Sequence, residues 1–114
     1  MTAHELDLLQ GTLDVLVLRA LAGRPLHGYA VARFIRESSD GTFRILDGAL
    51  YTALHRMEER GWVESEWGQS EKGKRAKFYR LTTAGKKQLA ASHDSWARFS
   101  DAVFKVLRTA PATR

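Results

Sequence analysis

The sequence predicts a mainly α-helical fold with one small β-hairpin, an α+β arrangement of three short helices, the hairpin and a long last helix. Apolar residues recur every three or four positions in four separate segments, which is the period of a helix packed on one side. Polar and apolar residues instead alternate in two short runs between residues 62 and 81, as in β-strands. With 114 residues, of which 44% are hydrophobic, the chain is expected to form one domain with a modest core.

The first two predicted helices are short and closely spaced. The first covers residues 6–22, and its broad apolar surface indicates burial on more than one side. Gly23 is a stop signal, and Pro25 cannot continue the helix. The second helix begins at residue 26 and ends near residue 37, before a turn over residues 38–41.

The third predicted helix covers residues 48–60. Asp47 is expected to cap its start, and Gly61 is expected to take the left-handed conformation after its end. One side is apolar at positions i, i+4 and i+7 and should be buried. These positions are Leu50, Leu54 and Met57. The opposite, mostly polar side carries Tyr51, Thr52, His55, Arg56 and Glu59.

The hairpin and the last helix follow directly. The predicted strands are residues 62–67 and 76–81, and the polar loop between them contains two glycines and three cationic residues. Thr82 or Thr83 can cap a helix that reaches Arg108, and the tail over residues 109–114 is expected to fray. A heptad stripe along this helix predicts that it packs against another helix. The stripe consists of Gly85, Leu89, Ser92, Trp96, Phe99, Val103 and Val106.

Three short helices followed by a hairpin predict a winged helix-turn-helix domain over residues 1–82, with a dimerisation helix over residues 83–108. The chain carries 18 Lys and Arg against 13 Asp and Glu, a net charge of +5, which favours a polyanionic partner. Part of the excess lies on the hairpin, where it can follow phosphates, while the polar side of the third helix fits a major groove about 12 Å wide. Double-stranded DNA is therefore the predicted partner.

Several short segments carry a resemblance to a known family. They are Leu26-His27-Gly28-Tyr29, Gly48-Ala49-Leu50-Tyr51, residues 54–63, residues 77–82 and Gly85. In this order and spacing they resemble the PadR family of bacterial transcriptional regulators over most of residues 9–89. The resemblance implies a homodimeric repressor whose third helix enters the major groove, whose wing touches the backbone, and whose first and last helices build the dimer. One departure is Thr52, where relatives often have proline.

These arguments together give the predicted sites. The residues expected to contact DNA are His27, Gly28, Tyr29, Tyr51, Thr52, His55, Arg56, Lys72, Lys74, Arg75 and Lys77. His27 has two interpretations, a cap of the second helix or a contact to a phosphate. The residues expected in the dimer interface are Leu9, Leu13, Leu89, Trp96, Phe99, Val103 and Val106.

Trp96 also has two interpretations. The simpler one places it in the dimer core. The other follows from the resemblance, since some relatives bind planar aromatic or cationic compounds at the dimer interface beside a tryptophan of the last helix. In that case Val15, Trp96 and Phe99 would line the ligand site, where stacking and cation–π contacts suit such compounds.

Other classes of function are disfavoured by what the sequence lacks. There is no cysteine, and the four histidines match no compact ligand motif, so we expect neither a metal nor a cofactor. No nucleophile with a positioned base, carboxylate pair or phosphate-binding glycine loop indicates an enzyme. No apolar run approaches the ~18–20 residues of a membrane span, and no signal peptide is recognised, so we expect a cytoplasmic protein. The remaining alternative is a winged-helix protein-interaction module that does not bind DNA, and the basic wing argues against it.

Overall fold

The computed structural model describes the backbone of residues 3–113 and the side chains of residues 11–113. It confirms the predicted fold class: helices dominate, one hairpin precedes a long last helix, and a two-residue strand is added. The elements are α1 (Ala3–Ala20), β1 (Leu26–His27), α2 (Gly28–Ser38), α3 (Asp47–Glu59), β2 (Val63–Gln69), β3 (Arg75–Leu81) and α4 (Thr83–Arg108).

The strands form an antiparallel sheet in the order β1-β3-β2. Strand β1 was not predicted, because two residues are too short to show an alternating pattern, and both were assigned to the second helix. Leu26 lies opposite Tyr79 and His27 lies opposite Phe78. This pairing joins the start of α2 to the hairpin, so that the hairpin and the helices are packed as one unit.

The core lies where α1, α2 and α3 meet the base of the hairpin. The predicted apolar side of α3 is buried, with Leu50, Leu54 and Met57 at 1% exposure or less. Helix α1 is buried over a wide arc, as its sequence predicts. The largest fully buried side chains are Leu18, Leu50, Leu54, Met57, Val17, Val31 and Val63.

The predicted helix caps agree with the structure except at the start of α3. The ring Nδ1 of His27 accepts a hydrogen bond from the backbone N–H of Ala30 at 3.3 Å, so its predicted capping role is confirmed. Thr82 caps α4 through the N–H of Gly85 at 3.0 Å, and Gly61 has a φ of +77° after α3. The predicted cap by Asp47 is wrong, because α3 already begins at that residue.

At the start of α3 the N-cap position belongs to Leu46, which makes no side-chain cap hydrogen bond. Asp47 instead lies in the first turn of the helix. A carboxylate there still interacts favourably with the positive end of the helix dipole.

Helix α4 begins against the domain and then extends away from it. Gly85 is buried, and a Cβ at this position would collide with the carbonyl oxygen of Trp62. Leu89 packs on the core, whereas Trp96, Phe99 and Val103 lie further along the helix and are substantially exposed. The molecule is accordingly elongated, at 63 × 28 × 27 Å. None of the helices in the described chain combines the length and apolarity needed to cross a membrane.

Candidate nucleic-acid interface

The start of α2, the start of α3 and the outer half of the hairpin surround one open groove of about 830 Å³. Eight of the eleven residues predicted to contact DNA line this groove. These eight are His27, Gly28, Tyr29, Tyr51, Lys72, Lys74, Arg75 and Lys77. The groove therefore brings together residues from three segments that are separated in the sequence.

Close packing between α2 and α3 holds Tyr51 at the floor of this groove. A Cβ built on Gly28 would lie 2.6 Å from the hydroxyl oxygen of Tyr51 and 2.8 Å from its ring. Glycine is therefore required at position 28 for the tyrosine ring to rest against the start of α2. The Tyr51 side chain remains 49% exposed and is available to a partner.

The register of the hairpin decides which side chains face α3. At the base, Val63 is buried, and the hydroxyl of Ser65 donates a hydrogen bond of 2.6 Å to Glu58 of α3. Trp67 follows on the same face because side chains alternate along a strand. Its register partner is Lys77, so both side chains belong to the groove face.

Three cationic groups in the groove lie over aromatic rings. The guanidinium of Arg75 is 4.3 Å from the centre of the Trp67 ring. The guanidinium of Arg33 is 5.6 Å from the Tyr29 ring, and the ammonium of Lys77 is 5.9 Å from the Tyr79 ring. Trp67, Arg33 and Tyr79 were not among the predicted site residues. The alternating pattern of the hairpin was a signal for Trp67, but it did not show which face turns towards α3.

Charge and protonation in the groove favour an anionic partner. Lys72, Lys74 and Arg75 are exposed at the hairpin tip, and the ammonium of Lys77 lies 3.9 Å from a carboxylate oxygen of Glu58. Burial raises the pKa of Tyr79, and the charge of Glu58 adds to the effect. The Tyr79 phenol therefore stays neutral at physiological pH.

The exposed side of α3 carries two further predicted residues. Thr52 is exposed, and the ring Nε2 of His55 lies 3.1 Å from a carboxylate oxygen of Glu59 on the same exposed surface. Arg56 was predicted on this side, and that placement is wrong. Its guanidinium turns towards α1 and pairs with the carboxylate of Asp14, and its side chain is only 21% exposed.

A second cleft of about 380 Å³ lies between α1 and α4. Val15, Trp96 and Phe99, the three residues of the ligand hypothesis, line it together. The rings of Trp96 and Phe99 are stacked with their centres 5.2 Å apart.

The residues predicted in the dimer interface divide into three groups. Leu13 and Leu89 pack against the core of their own chain. Trp96, Phe99, Val103 and Val106 are exposed on α4. The side chain of Leu9 lies outside the described residues.

The sequence model of one protein family, the transcriptional regulator PadR-like family, matches residues 17–91 of this chain. The chain belongs to this family. The match covers the last turn of α1, all of α2 and α3, the hairpin and the start of α4. The PadR-like family thus accounts for the elements that build the groove.

Solved structures of similar chains have the same fold. A transcriptional regulator from Clostridium thermocellum is 28% identical, with a TM-score of 0.77 over 87% of this chain and 96% of that one. A PadR-family transcriptional regulator from Eggerthella lenta is 33% identical, with a TM-score of 0.72 over 95% of this chain and 92% of that one. An uncharacterised protein from Lysinibacillus sphaericus is 28% identical over 97 residues, which are 85% of this chain and 89% of that protein. The predicted winged-helix fold and the predicted family are both confirmed.

Proposed function

We propose that this PadR-like protein is a sequence-specific regulator that binds double-stranded DNA as a cytoplasmic homodimer and represses transcription. The observation that carries the proposal is the groove beside α3, where cationic side chains of the hairpin face the exposed side of a helix. On a duplex, the cationic side chains would meet phosphates while the exposed side of the helix meets base edges.

Each part of the surface would meet a different part of the duplex. Tyr51, Thr52 and His55 project from α3 and would reach base edges in the major groove. Lys72 and Lys74 at the hairpin tip would pair with phosphates, which position the protein without reading sequence. Specificity is therefore assigned to α3 and most of the affinity to the hairpin.

The outer part of α4 supports a dimer. Trp96, Phe99 and Val103 have side chains between 39% and 45% exposed, and they follow one another at heptad spacing. A second copy that covers this stripe would remove the apolar surface from water and place two copies of α3 on one duplex. Two such helices must meet major-groove faces about 34 Å apart. Repression would follow from occupying a promoter.

The cleft between α1 and α4 offers a route for release from DNA. A planar aromatic compound stacked on Trp96 and Phe99 would contact the same stripe that sets the spacing of the two recognition helices. Occupancy of the cleft and DNA affinity would then be coupled. This part is tested by titrating planar aromatic cations and phenolic compounds into the unchanged protein and into Trp96→Ala. Tryptophan fluorescence reports binding of the compound, and a parallel titration reports the affinity for DNA.

The decisive experiment is selection of binding sites from random duplex DNA, followed by titration of a selected site at several salt concentrations. If a dimer neutralises ~6 phosphates, the logarithm of the binding constant falls with the logarithm of salt at a slope of about −5. Lys74→Ala should weaken binding to all sequences alike, whereas Tyr51→Ala should also reduce the preference for the selected site. Lys87→Ala, an exposed lysine of α4 outside the groove, is the matched control. Failure to enrich any sequence, or a slope near zero, contradicts the proposal.

A further inference from the structure

The groove beside α3 exposes aromatic rings as well as cationic groups. The side chains of Tyr29 and Trp67 are 64% and 59% exposed, and both line the groove with Tyr51. A duplex offers phosphates, sugars and the edges of its bases, while the faces of its bases are stacked on one another. Cationic residues alone would satisfy the phosphates. A ligand with unstacked rings would contact the aromatic faces as well as the cationic groups.

Trp67 is the clearest case, because it is largely exposed and lies outside the hydrophobic core. It lies on the outer half of β2, beyond the point where Val63 and Ser65 contact the domain. It is not part of the hydrophobic core, and its only ring contact among the described residues is the guanidinium of Arg75. Burial of an apolar ring stabilises a protein by about 25 cal/mol per Å² of surface removed from water, and the exposed ring of Trp67 does not contribute this free energy.

The charges beside the exposed rings define what kind of aromatic ligand fits. Five cationic side chains and one carboxylate, that of Glu71, line the groove. Arg33 and Arg75 lie directly over the rings of Tyr29 and Trp67. A ligand that has both flat rings and repeated negative charges satisfies both features. A single strand of nucleic acid has this chemistry, and stacking platforms beside a basic track are how proteins hold it.

We propose that the groove also binds single-stranded DNA, with Trp67 as the platform on which an unpaired base stacks and with Arg75 and Lys77 beside the adjoining phosphates. The volume of about 830 Å³ lies within the range of ~300–1,000 Å³ that encloses a drug-sized ligand, which is enough for a nucleotide unit. The role given to the cationic residues rests on the proposed function, whereas the role given to Trp67 does not. Trp67 lines the groove but is not among the residues assigned to the base edges or phosphates of a duplex. Its loss should therefore weaken single-strand binding more than duplex binding.

The test uses the full chain and a labelled oligomer of twelve thymidines, which forms no duplex, with a selected duplex titrated in parallel. Trp67→Leu keeps an apolar side chain and removes the ring. We expect it to weaken thymidine-oligomer binding by about fivefold to 150-fold, since stacking on an aromatic side chain contributes ~1–3 kcal/mol per base. Binding to the duplex, measured in parallel, should weaken by a smaller factor than binding to the oligomer. Trp67→Phe, which keeps a ring, should recover most of the lost affinity for the oligomer.

Two controls make the result interpretable. Phe104→Leu removes another exposed ring that lies under an arginine, at the far end of α4, and should leave oligomer binding unchanged. Thermal unfolding of each variant reports whether the hairpin has been disrupted. Equal oligomer affinity for Trp67→Leu and the unchanged protein overturns the proposal, as does an equal loss in Trp67→Phe. If the oligomer does not bind while the duplex does, only this inference fails. If neither binds, the proposed function fails as well.

Discussion

The guanidinium of Arg56 on α3 is paired with the carboxylate of Asp14 on α1, 42 residues earlier in the chain. Asp14 is only 9% exposed, and burial raises the pKa of its carboxyl more than the neighbouring Arg56 lowers it. The Nε of Arg56 is buried and has no hydrogen-bond partner in the part of the chain that the structure describes. The pair thus joins the helix that lines the cleft to the helix proposed to read DNA.

The first prediction concerns what happens when one partner of this pair is removed. Arg56→Leu should lower the free energy of unfolding by about 3 kcal/mol at pH 7, because the buried Asp14 carboxylate then loses its ion-pair and hydrogen-bond partner and keeps only the weaker electrostatic effect of Arg60. The double variant Asp14→Leu/Arg56→Leu should restore most of this loss, since two apolar side chains need no desolvation of charge. Urea unfolding of the two variants measures the difference. A double variant less stable than Arg56→Leu would show that the pair stabilises the fold outright.

The second prediction is the pH dependence of the same carboxyl. Because the folded pKa of Asp14 is raised from 3.8, the folded chain binds more protons than the unfolded chain in the interval above that value. The stability contribution of Asp14 is therefore complete below pH 3.8 and declines as pH rises through the folded pKa. The free energy of unfolding of the unchanged protein should fall relative to Asp14→Asn over this interval and then stay level. Urea unfolding of both proteins from pH 3 to 7 checks the sign, and a relative rise would mean that Arg56 outweighs burial.

The third prediction uses two glycines in helices. Gly85→Ala should destabilise the protein by ~1–3 kcal/mol or more, because the new methyl group would collide with the backbone carbonyl of Trp62, which cannot rotate away. Gly48→Ala is the matched control, since nothing lies within 4 Å of its added Cβ. Because alanine has a higher helix propensity than glycine, Gly48→Ala should stabilise the protein by up to about 1 kcal/mol. Thermal unfolding distinguishes the two, and equal effects would mean that α4 does not approach Trp62 this closely.

Sequence patterns predicted the parts of this protein that depend on local periodicity. The buried side of α3, the left-handed Gly61 and the capping of α4 by Thr82 each depend on residues within a few positions of one another. The position of Arg56 depends instead on an acidic group on another helix, which no local pattern contains. Trp67 was missed for a similar reason: alternation gives the two faces of a strand, but the face that turns towards α3 is set by how the hairpin packs.

The fourth prediction concerns the exposed stripe of α4. Phe99→Asp should shift the protein towards monomers, because a dimer through this stripe would have to bury a carboxylate without a partner. Ala97→Asp introduces the same charge at an exposed position of the same helix outside the stripe and should leave the assembly unchanged. Light scattering at micromolar concentration measures the mass of each variant. A monomeric mass for the unchanged protein, or an equal shift in both variants, would exclude this stripe as the interface.

The last prediction tests whether the contact between Gly28 and Tyr51 positions the DNA-reading surface. In Gly28→Ala the new methyl group would displace the Tyr51 ring, which can move because it is 49% exposed. The fold should therefore stay intact, and thermal unfolding should change little, while affinity for a selected duplex should fall as far as it does in Tyr51→Ala. The double variant Gly28→Ala/Tyr51→Ala should be no weaker than Tyr51→Ala alone, because residues that act through one contact are not additive. Additive losses in a binding titration would show that Gly28 affects DNA binding by a route that does not involve Tyr51.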